Sequence, residues 1–332
     1  MKPFQYIRPK TIKEAVQAVA DDSQARYIAG GTNLLDLMKR DIEKPEKLVD
    51  INHLPLKKIE VKSGVLRIGS LALNSAVSHH AQVVKRFPLL VQALLAGASG
   101  QIRNMATAGG NLLQQTRCPY FYDTAFPCNK RSPGTGCSAI NGISRLHAVY
   151  EVDISNPQKA CIAVNPSDMA VALMALDASI MVSGKNGERK MALDELYHSP
   201  ATQPNLDHNL EKGDLITAVE LPHAPLAQHA HYLKVRDRTS YAFALVSAAV
   251  ALDIRDHRIQ AARITLGGVA YKPWRLPAVE KQLLGQPISI TAFRDAGVAA
   301  LTDTRSFEHN AYKLKLIPNV IAEALKIASG LS

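Results

Sequence analysis

Four cysteines, Cys118, Cys128, Cys137 and Cys161, are the only thiols in the sequence, and all lie in one interval rich in proline, glycine and arginine. Four thiolates can hold a zinc ion or an iron–sulfur cluster. The gaps of nine (119–127), eight (129–136) and 23 (138–160) residues contain no Cys-x-x-Cys pair of the kind typical of structural zinc sites. Spacing favours a cluster over zinc but leaves inert thiols open, above all for Cys161, which apolar residues flank.

Two glycine turns form a second candidate site. One reads Ala-Gly-Gly-Thr-Asn-Leu at 29–34, and the other reads Thr-Ala-Gly-Gly-Asn-Leu at 107–112. Paired glycines let backbone N–H groups approach an anion closely, and a following helix start adds partial positive charge. We therefore expect the two turns to hold the two phosphates of one dinucleotide. Neither turn is the Gly-x-Gly-x-x-Gly of a Rossmann fold, so that architecture is disfavoured.

The patterns around these residues predict an α+β protein of three parts. Residues 1–57 form a small lobe, in which a capping box at Thr11 and Glu14 starts a helix and the first glycine turn separates a strand from a second helix. Residues 58–222 form a second lobe, interrupted at about 115–165 by the cysteine interval and continued by a helix that Ser167 caps. A linker at 222–231, rich in proline and histidine, precedes a C-terminal domain (228–332) with two strands and two helices, which start near 291 and 318.

Composition narrows the class of protein. The chain has 332 residues, 47% of them hydrophobic and 20% charged, which is typical of a folded protein. Its net charge is +10 (39 basic minus 29 acidic), but the basic residues are scattered and aromatic residues make up only 5%, which disfavours nucleic-acid binding. The N-terminus lacks the apolar core of a signal peptide, which also disfavours disulfides, and no apolar run is long enough to span a membrane. We expect a cytoplasmic protein, or a periplasmic one exported already folded on a partner subunit that bears the signal.

The ordered motifs carry a family resemblance over nearly the whole chain. Beside the two glycine turns, they are Gln-Ile-Arg-Asn at 101–104, Pro-Ser-Asp at 166–168, Lys-Val-Arg-Asp-Arg at 234–238 and Tyr-Lys at 312–313. Together they resemble the FAD-binding medium subunit of the molybdenum hydroxylases, the xanthine dehydrogenase family, and most closely its aldehyde oxidoreductase branch. The resemblance implies a two-lobed, non-Rossmann FAD-binding domain of the vanillyl-alcohol-oxidase (PCMH) type, followed by a C-terminal domain of the CO dehydrogenase flavoprotein type.

The resemblance also implies roles for particular residues. The predicted FAD-binding residues are Tyr27, Ile28, Ala29, Gly30, Gly31, Thr32, Asn33, Leu34, Ala98, Thr107, Gly110, Asn111, Asp168, Leu215, Ile216 and Lys234. Lys234 would tune the flavin, although from the sequence alone it is an ordinary lysine on a strand surface, and Tyr241 would shield the flavin face. In the aldehyde oxidoreductase branch, an insertion after the second turn carries a 4Fe–4S cluster, which makes Cys118, Cys128, Cys137 and Cys161 the implied ligands.

The resulting hypothesis is an electron-transfer subunit without catalytic residues of its own. It would work in a heterotrimer with a large molybdopterin subunit and a small subunit that carries two 2Fe–2S centres, and it would pass electrons through FAD to an external acceptor. The alternative is a protein that is stabilised by a zinc ion on these cysteines and binds a nucleotide or a nucleic acid.

Overall fold

The computed structural model describes residues 1–222, 226 and 229–331. The first lobe consists of β1 (Gln5–Ile7), α1 (Ile12–Ala20), β2 (Ala25–Ile28), α2 (Leu34–Lys39) and β3 (Lys47–Asp50). Its strands form a parallel sheet in the order β1-β3-β2. Thr11 caps α1 as predicted, since its Oγ1 accepts the N–H of Glu14 at 3.1 Å, but Glu14 Oε2 accepts the N–H of Lys10, not that of Thr11.

The second lobe has a five-stranded antiparallel sheet covered by helices. Before the cysteine interval come β4 (Ile59–Lys62), β5 (Val65–Gly69), α3 (Asn74–His79), α4 (Ala81–Arg86), α5 (Pro88–Ala96), α6 (Gly100–Arg103) and α7 (Ala108–Leu112). After it come α9 (Asp168–Ala175), β6 (Ser179–Gly184), β7 (Gly187–Ala192), α10 (Leu193–Leu196) and β8 (Leu215–Leu221). The strand order is β4-β5-β8-β6-β7, and the apolar β8 lies in the middle, where both faces are buried.

The cysteine interval joins α7 to α9 and contains little regular structure. It has one short helix, α8 (Pro119–Tyr122), and an isolated antiparallel bridge between Cys128 and Cys137. Ser167 caps α9 as predicted, because its Oγ accepts the N–H of Ala170 at 3.0 Å. Its hydroxyl also donates to Asn111 Oδ1 at 2.5 Å, so the cap ties the second glycine turn to the start of α9.

The C-terminal domain is an antiparallel sheet with helices on one face. It consists of β9 (His229–Val235), β10 (Val246–Arg255), β11 (Arg258–Gly267), β12 (Trp274–Arg275), α11 (Pro277–Leu283), α12 (Ile290–Ala299) and α13 (Tyr312–Ser329), with strand order β12-β11-β10-β9. Residues 223–225, 227 and 228 of the predicted linker lie outside the described residues, and 229–231 belong to β9. In the part of the chain that the structure describes, no helix is both long and apolar enough to cross a bilayer.

The predicted start of the last helix near Pro318 is wrong, because α13 begins at Tyr312 and contains Pro318 in its interior. Proline removes one helical hydrogen bond and usually bends or breaks a helix. Here α13 packs along β9, β10 and α12. A Cβ on Gly297 of α12 would lie 2.5 Å from the carbonyl oxygen of Pro318, so the two helices are in close contact at this point. We attribute the continuous helix to this packing.

Alternate side chains of the C-terminal strands pack into two different cores, and this alternation orients the side chains of the site. In β10, Ala249 and Ala251 pack into the core of the second lobe, whereas Val250 and Leu252 pack under α13. Side chains two residues apart in a strand share a face. In β9, Tyr232 packs into the core of the second lobe, so Lys234 also points toward that lobe and toward α9.

Candidate functional site

The first glycine turn joins β2 to α2 and offers unpaired backbone donors. In the described part of the chain, four consecutive N–H groups donate no hydrogen bond, those of Gly30, Gly31, Thr32 and Asn33. Gly31 has a φ of 70°, in the left-handed region. A Cβ on Gly30 would lie 1.8 Å from the carbonyl oxygen of Met105 in the second lobe. Glycine is thus required at both positions, and the row of open N–H groups suits a phosphate.

We expected the second glycine turn to bind a phosphate as well, but its N–H groups are already hydrogen-bonded within the protein. Gly109 donates to the carbonyl of Ser70 at 2.8 Å, and Asn111 donates to that of Thr107 at 2.8 Å. Gly110 donates to Thr107 Oγ1 at 3.2 Å, where Thr107 caps α7. Sequence alone cannot distinguish a turn that is open to a ligand from one that caps its own helix. Only the first turn therefore presents a row of free backbone donors.

A continuous cleft runs between the lobes from the first turn to the C-terminal domain. It has two parts with cavity volumes of about 320 and 650 Å³, and Thr32, Asn33, Ala106 and Gly110 line both. A drug-sized ligand needs about 300–1,000 Å³, so there is room for a dinucleotide. The structure brings all predicted cofactor residues to this cleft: Tyr27, Ile28, Ala29, Gly30, Gly31, Leu34, Thr107, Leu215 and Ile216 in the first part, Ala98, Asn111, Asp168 and Lys234 in the second, and Thr32, Asn33 and Gly110 in both.

Asp168 lies at the start of α9, where two groups from β9 hold its carboxylate. Lys234 Nζ lies 2.7 Å from Oδ2, and the Tyr232 hydroxyl donates to Oδ1 at 2.5 Å. The Lys234 and Asp168 side chains are only 3% and 10% exposed. The interpretation of Lys234 as an ordinary surface lysine is therefore wrong. Its ammonium is buried and neutralised by Asp168, which limits the positive charge that it presents to the cleft.

Two residues at the second part of the cleft have backbone conformations that are rare for residues with a side chain. Ala98 has a φ of 52° and Tyr241 has a φ of 51°. Such conformations cost about 1–3 kcal/mol each and cluster at functional sites. Tyr241 is 58% exposed at the cleft, which is compatible with the predicted shielding role.

Arg117 is a cleft residue whose position the sequence did not reveal. It lines the second part of the cleft, and its guanidinium lies 5.3 Å from the ring centroid of Phe243. Burial lowers the pKa of this guanidinium. Among the described residues, no carboxylate forms an ion pair with it. A partly buried cation without an ion pair among the described residues suits an anionic ligand.

The four cysteines line a single space with a cavity volume of about 10 Å³. Burial raises the pKa of Cys118 and of Cys161 to about 12, and neighbouring thiols add to the shift, which places the four sulfurs in one environment. Cys128 and Cys137 face each other across their bridge. In the described residues, no group of three or more His, Cys, Asp or Glu side chains is arranged to hold a metal ion. That finding supports neither a zinc ion nor a 4Fe–4S cluster at the four cysteines.

Lys130 lies beside the thiols, and Lys313 contacts the backbone of His147, which lines the same space. Lys130 lines the same space, forms an ion pair with Asp207 and lowers the pKa of Cys161. Lys313 is fully buried, and its ammonium donates to the carbonyls of His147 at 2.8 Å and Gly268 at 2.6 Å. In the described part of the chain, Lys313 has no acidic partner. Thiolates or a cluster carried by them would supply the missing negative charge, so the chemistry of this site fits an anionic group.

Comparison with known proteins defines the class of this fold and site. Residues 2–224 match the model of the FAD binding domain in molybdopterin dehydrogenase, and residues 231–328 match that of the CO dehydrogenase flavoprotein C-terminal domain. The chain therefore belongs to the FAD-binding medium subunits of the molybdenum hydroxylases, a family of oxidoreductases. The predicted fold class is confirmed.

Individual relatives span the whole chain. The aldehyde oxidoreductase FAD-binding subunit PaoB of Escherichia coli is 48% identical over 98% of both chains. The glyceraldehyde dehydrogenase medium chain of Sulfolobus acidocaldarius is 26% identical over 88% of this chain and 85% of its own. Among solved structures, reconstituted CO dehydrogenase from Oligotropha carboxidovorans aligns with a TM-score of 0.77 at 24% identity and 100% coverage of both chains, a likeness of fold.

Proposed function

We propose that this chain is the FAD-containing electron-transfer subunit of a molybdenum-dependent aldehyde oxidoreductase. The row of four open N–H groups in the inter-lobe cleft carries the proposal, because it supplies the donors that a dinucleotide diphosphate needs. The relative named as an aldehyde oxidoreductase subunit, which is 48% identical over 98% of both chains, supports the substrate class.

Different residues of the cleft would bind different parts of FAD. The turn at 29–33 would bind the diphosphate through its N–H groups, and the partly buried Arg117 would add a compensating charge. Asp168, fixed by Tyr232 and Lys234, would accept a hydrogen bond from the polar end of the cofactor. Bound FAD supplies a ring that takes single electrons from iron–sulfur centres and gives one or two to an acceptor.

The chemistry on the aldehyde belongs to partners in this proposal. A large molybdopterin subunit would oxidise the substrate, and a small subunit with 2Fe–2S centres would deliver electrons to this chain, which would pass them to an external acceptor. We assign no catalytic residue for aldehyde oxidation to this chain. Purification with the two partners, at equal stoichiometry and with one FAD per copy of this chain, is the expected result. A colourless chain that contains zinc and neither FAD nor iron would contradict the proposal.

We further propose that Cys118, Cys128, Cys137 and Cys161 hold a 4Fe–4S cluster. The single space that they line, with Lys130 among its lining residues, supports this assignment. A cluster distributes four cysteines over four irons, so its ligands need not converge on one point as the ligands of a zinc ion must.

Replacing Cys118 with serine tests the cluster separately from the flavin. We expect Cys118→Ser to lose most of its iron, because one of four thiolate ligands is missing, while it keeps FAD in the separate cleft. Iron and FAD are measured per chain after purification. Ser155→Ala, at an exposed serine of the same interval, is the control and should retain both. Wild-type iron content in the Cys118→Ser variant would remove Cys118 from the ligand set.

A further inference from the structure

His147 makes a direct contact with the thiol site that its place in the sequence does not suggest. Its Nε2 lies 3.1 Å from the Sγ of Cys118, 29 residues earlier in the chain. The histidine is only 2% exposed. The sulfur and the imidazole therefore meet in a place where water cannot take over the hydrogen bond.

The backbone of His147 is fixed from several sides. Its N–H donates to the carbonyl of Ser144 at 3.0 Å, and its carbonyl accepts from Lys313 Nζ at 2.8 Å and from Asn310 Nδ2 at 3.4 Å. Lys313 and Asn310 are both fully buried. The C-terminal domain thus holds the imidazole against Cys118.

His147 also stands between the thiol site and the cleft. It lines the buried space of the four cysteines and a second cavity, whose wall includes Cys118, Arg117 and Asp168. Arg117 and Asp168 in turn line the cofactor cleft. The contact is therefore on the side of Cys118 that leads toward the proposed flavin.

We propose that His147 is a positioning residue that donates its Nε2–H to the Cys118 sulfur and raises the reduction potential of the cluster at this site. This inference rests on the cluster of the proposed function. A thiolate ligand can only accept a hydrogen bond, so the imidazole must be the donor. A hydrogen bond to a ligating sulfur stabilises the more negative, reduced state of the cluster.

The test compares two substitutions in the complete purified complex, with iron, FAD and the cluster's reduction potential measured on each sample. His147→Leu removes the donor, and His147→Gln keeps an N–H donor. At a fixed solution potential, the ratio of reduced to oxidised cluster should fall about tenfold in His147→Leu, a shift of about 59 mV for one electron. His147→Gln should stay close to wild type.

The outcomes separate this inference from the cluster itself. Full iron content with an unchanged potential in His147→Leu would overturn the role of His147. If His147→Leu loses the iron of this site, the result for His147→Gln is used instead. A wild-type reduction potential in His147→Gln supports the hydrogen-bond donor, and a tenfold lower ratio of reduced to oxidised cluster overturns it. Wild-type complex with no iron beyond that of the partner's 2Fe–2S centres would contradict the proposed cluster instead, whatever the histidine variants show.

Discussion

Gly30→Ala should abolish FAD retention. The added Cβ would lie 1.8 Å from the Met105 carbonyl oxygen and 2.7 Å from its carbonyl carbon, both backbone atoms that a side-chain rotation cannot move. The first turn and the second lobe must then separate, which displaces the open N–H groups from the cleft. We expect FAD binding to weaken at least about tenfold, equivalent to about 1.4 kcal/mol. Overpacking should also cost about 1–3 kcal/mol of folding stability.

Gly100→Ala is the matched control, because a Cβ there meets no atom within 4 Å and the residue lies at the exposed start of α6. Equilibrium dialysis with FAD measures binding, and urea denaturation measures the free energy of unfolding. Equal FAD affinity in the two variants would refute the assignment of the first turn.

Lys234→Met should strongly destabilise the chain, because it leaves the buried carboxylate of Asp168 without its cation. Removing one partner of a buried ion pair costs about 3–5 kcal/mol. The control is Lys190→Met, whose ammonium lies 3.0 Å from Glu220 but is 58% exposed. Exposed pairs contribute about 0–1 kcal/mol. Urea denaturation of both variants gives the two free energies of unfolding.

A second substitution separates charge from packing at this site. If the isolated buried charge causes the loss, Asp168→Leu combined with Lys234→Met should recover much of the stability, since apolar replacement of a buried pair is often tolerated. A loss below about 1 kcal/mol in Lys234→Met alone would mean that the pair is effectively solvated.

Local signals in the sequence predicted the parts of the fold that depend on neighbouring residues. Thr11 and Ser167 cap their helices as expected, and the first glycine turn lies between a strand and a helix. Capping and turn formation involve residues within about four positions of each other, which is why sequence reveals them. The family resemblance added the rest of the cleft, whose predicted residues now share one space.

The remaining features depend on contacts between distant parts of the chain. Tyr232 meets Asp168 across 64 residues, and His147 meets Cys118 across 29, so no local pattern marks either pair. Pro318 predicted a helix start because proline favours the first turn of a helix. Instead, α13 packs against α12 and the sheet and begins six residues earlier, at Tyr312. In the second glycine turn, the bond from Gly109 to Ser70 likewise depends on the fold, whereas the bonds to Thr107 form a local helix cap.

The hydrogen bonds that tie the cysteine interval to the C-terminal domain also set an order of events during synthesis. The Val149 N–H donates to the carbonyl of Val269, and the carbonyls of Ala148 and His147 accept from Asn310 and Lys313. A ribosome makes these partners more than a hundred residues after the cysteines, and domains fold as they emerge. The first lobe can fold early, but the thiol pocket gains its final walls only when the last helix has left the ribosome. Insertion of the proposed cluster would therefore be a late step, which follows completion of nearly the whole polypeptide.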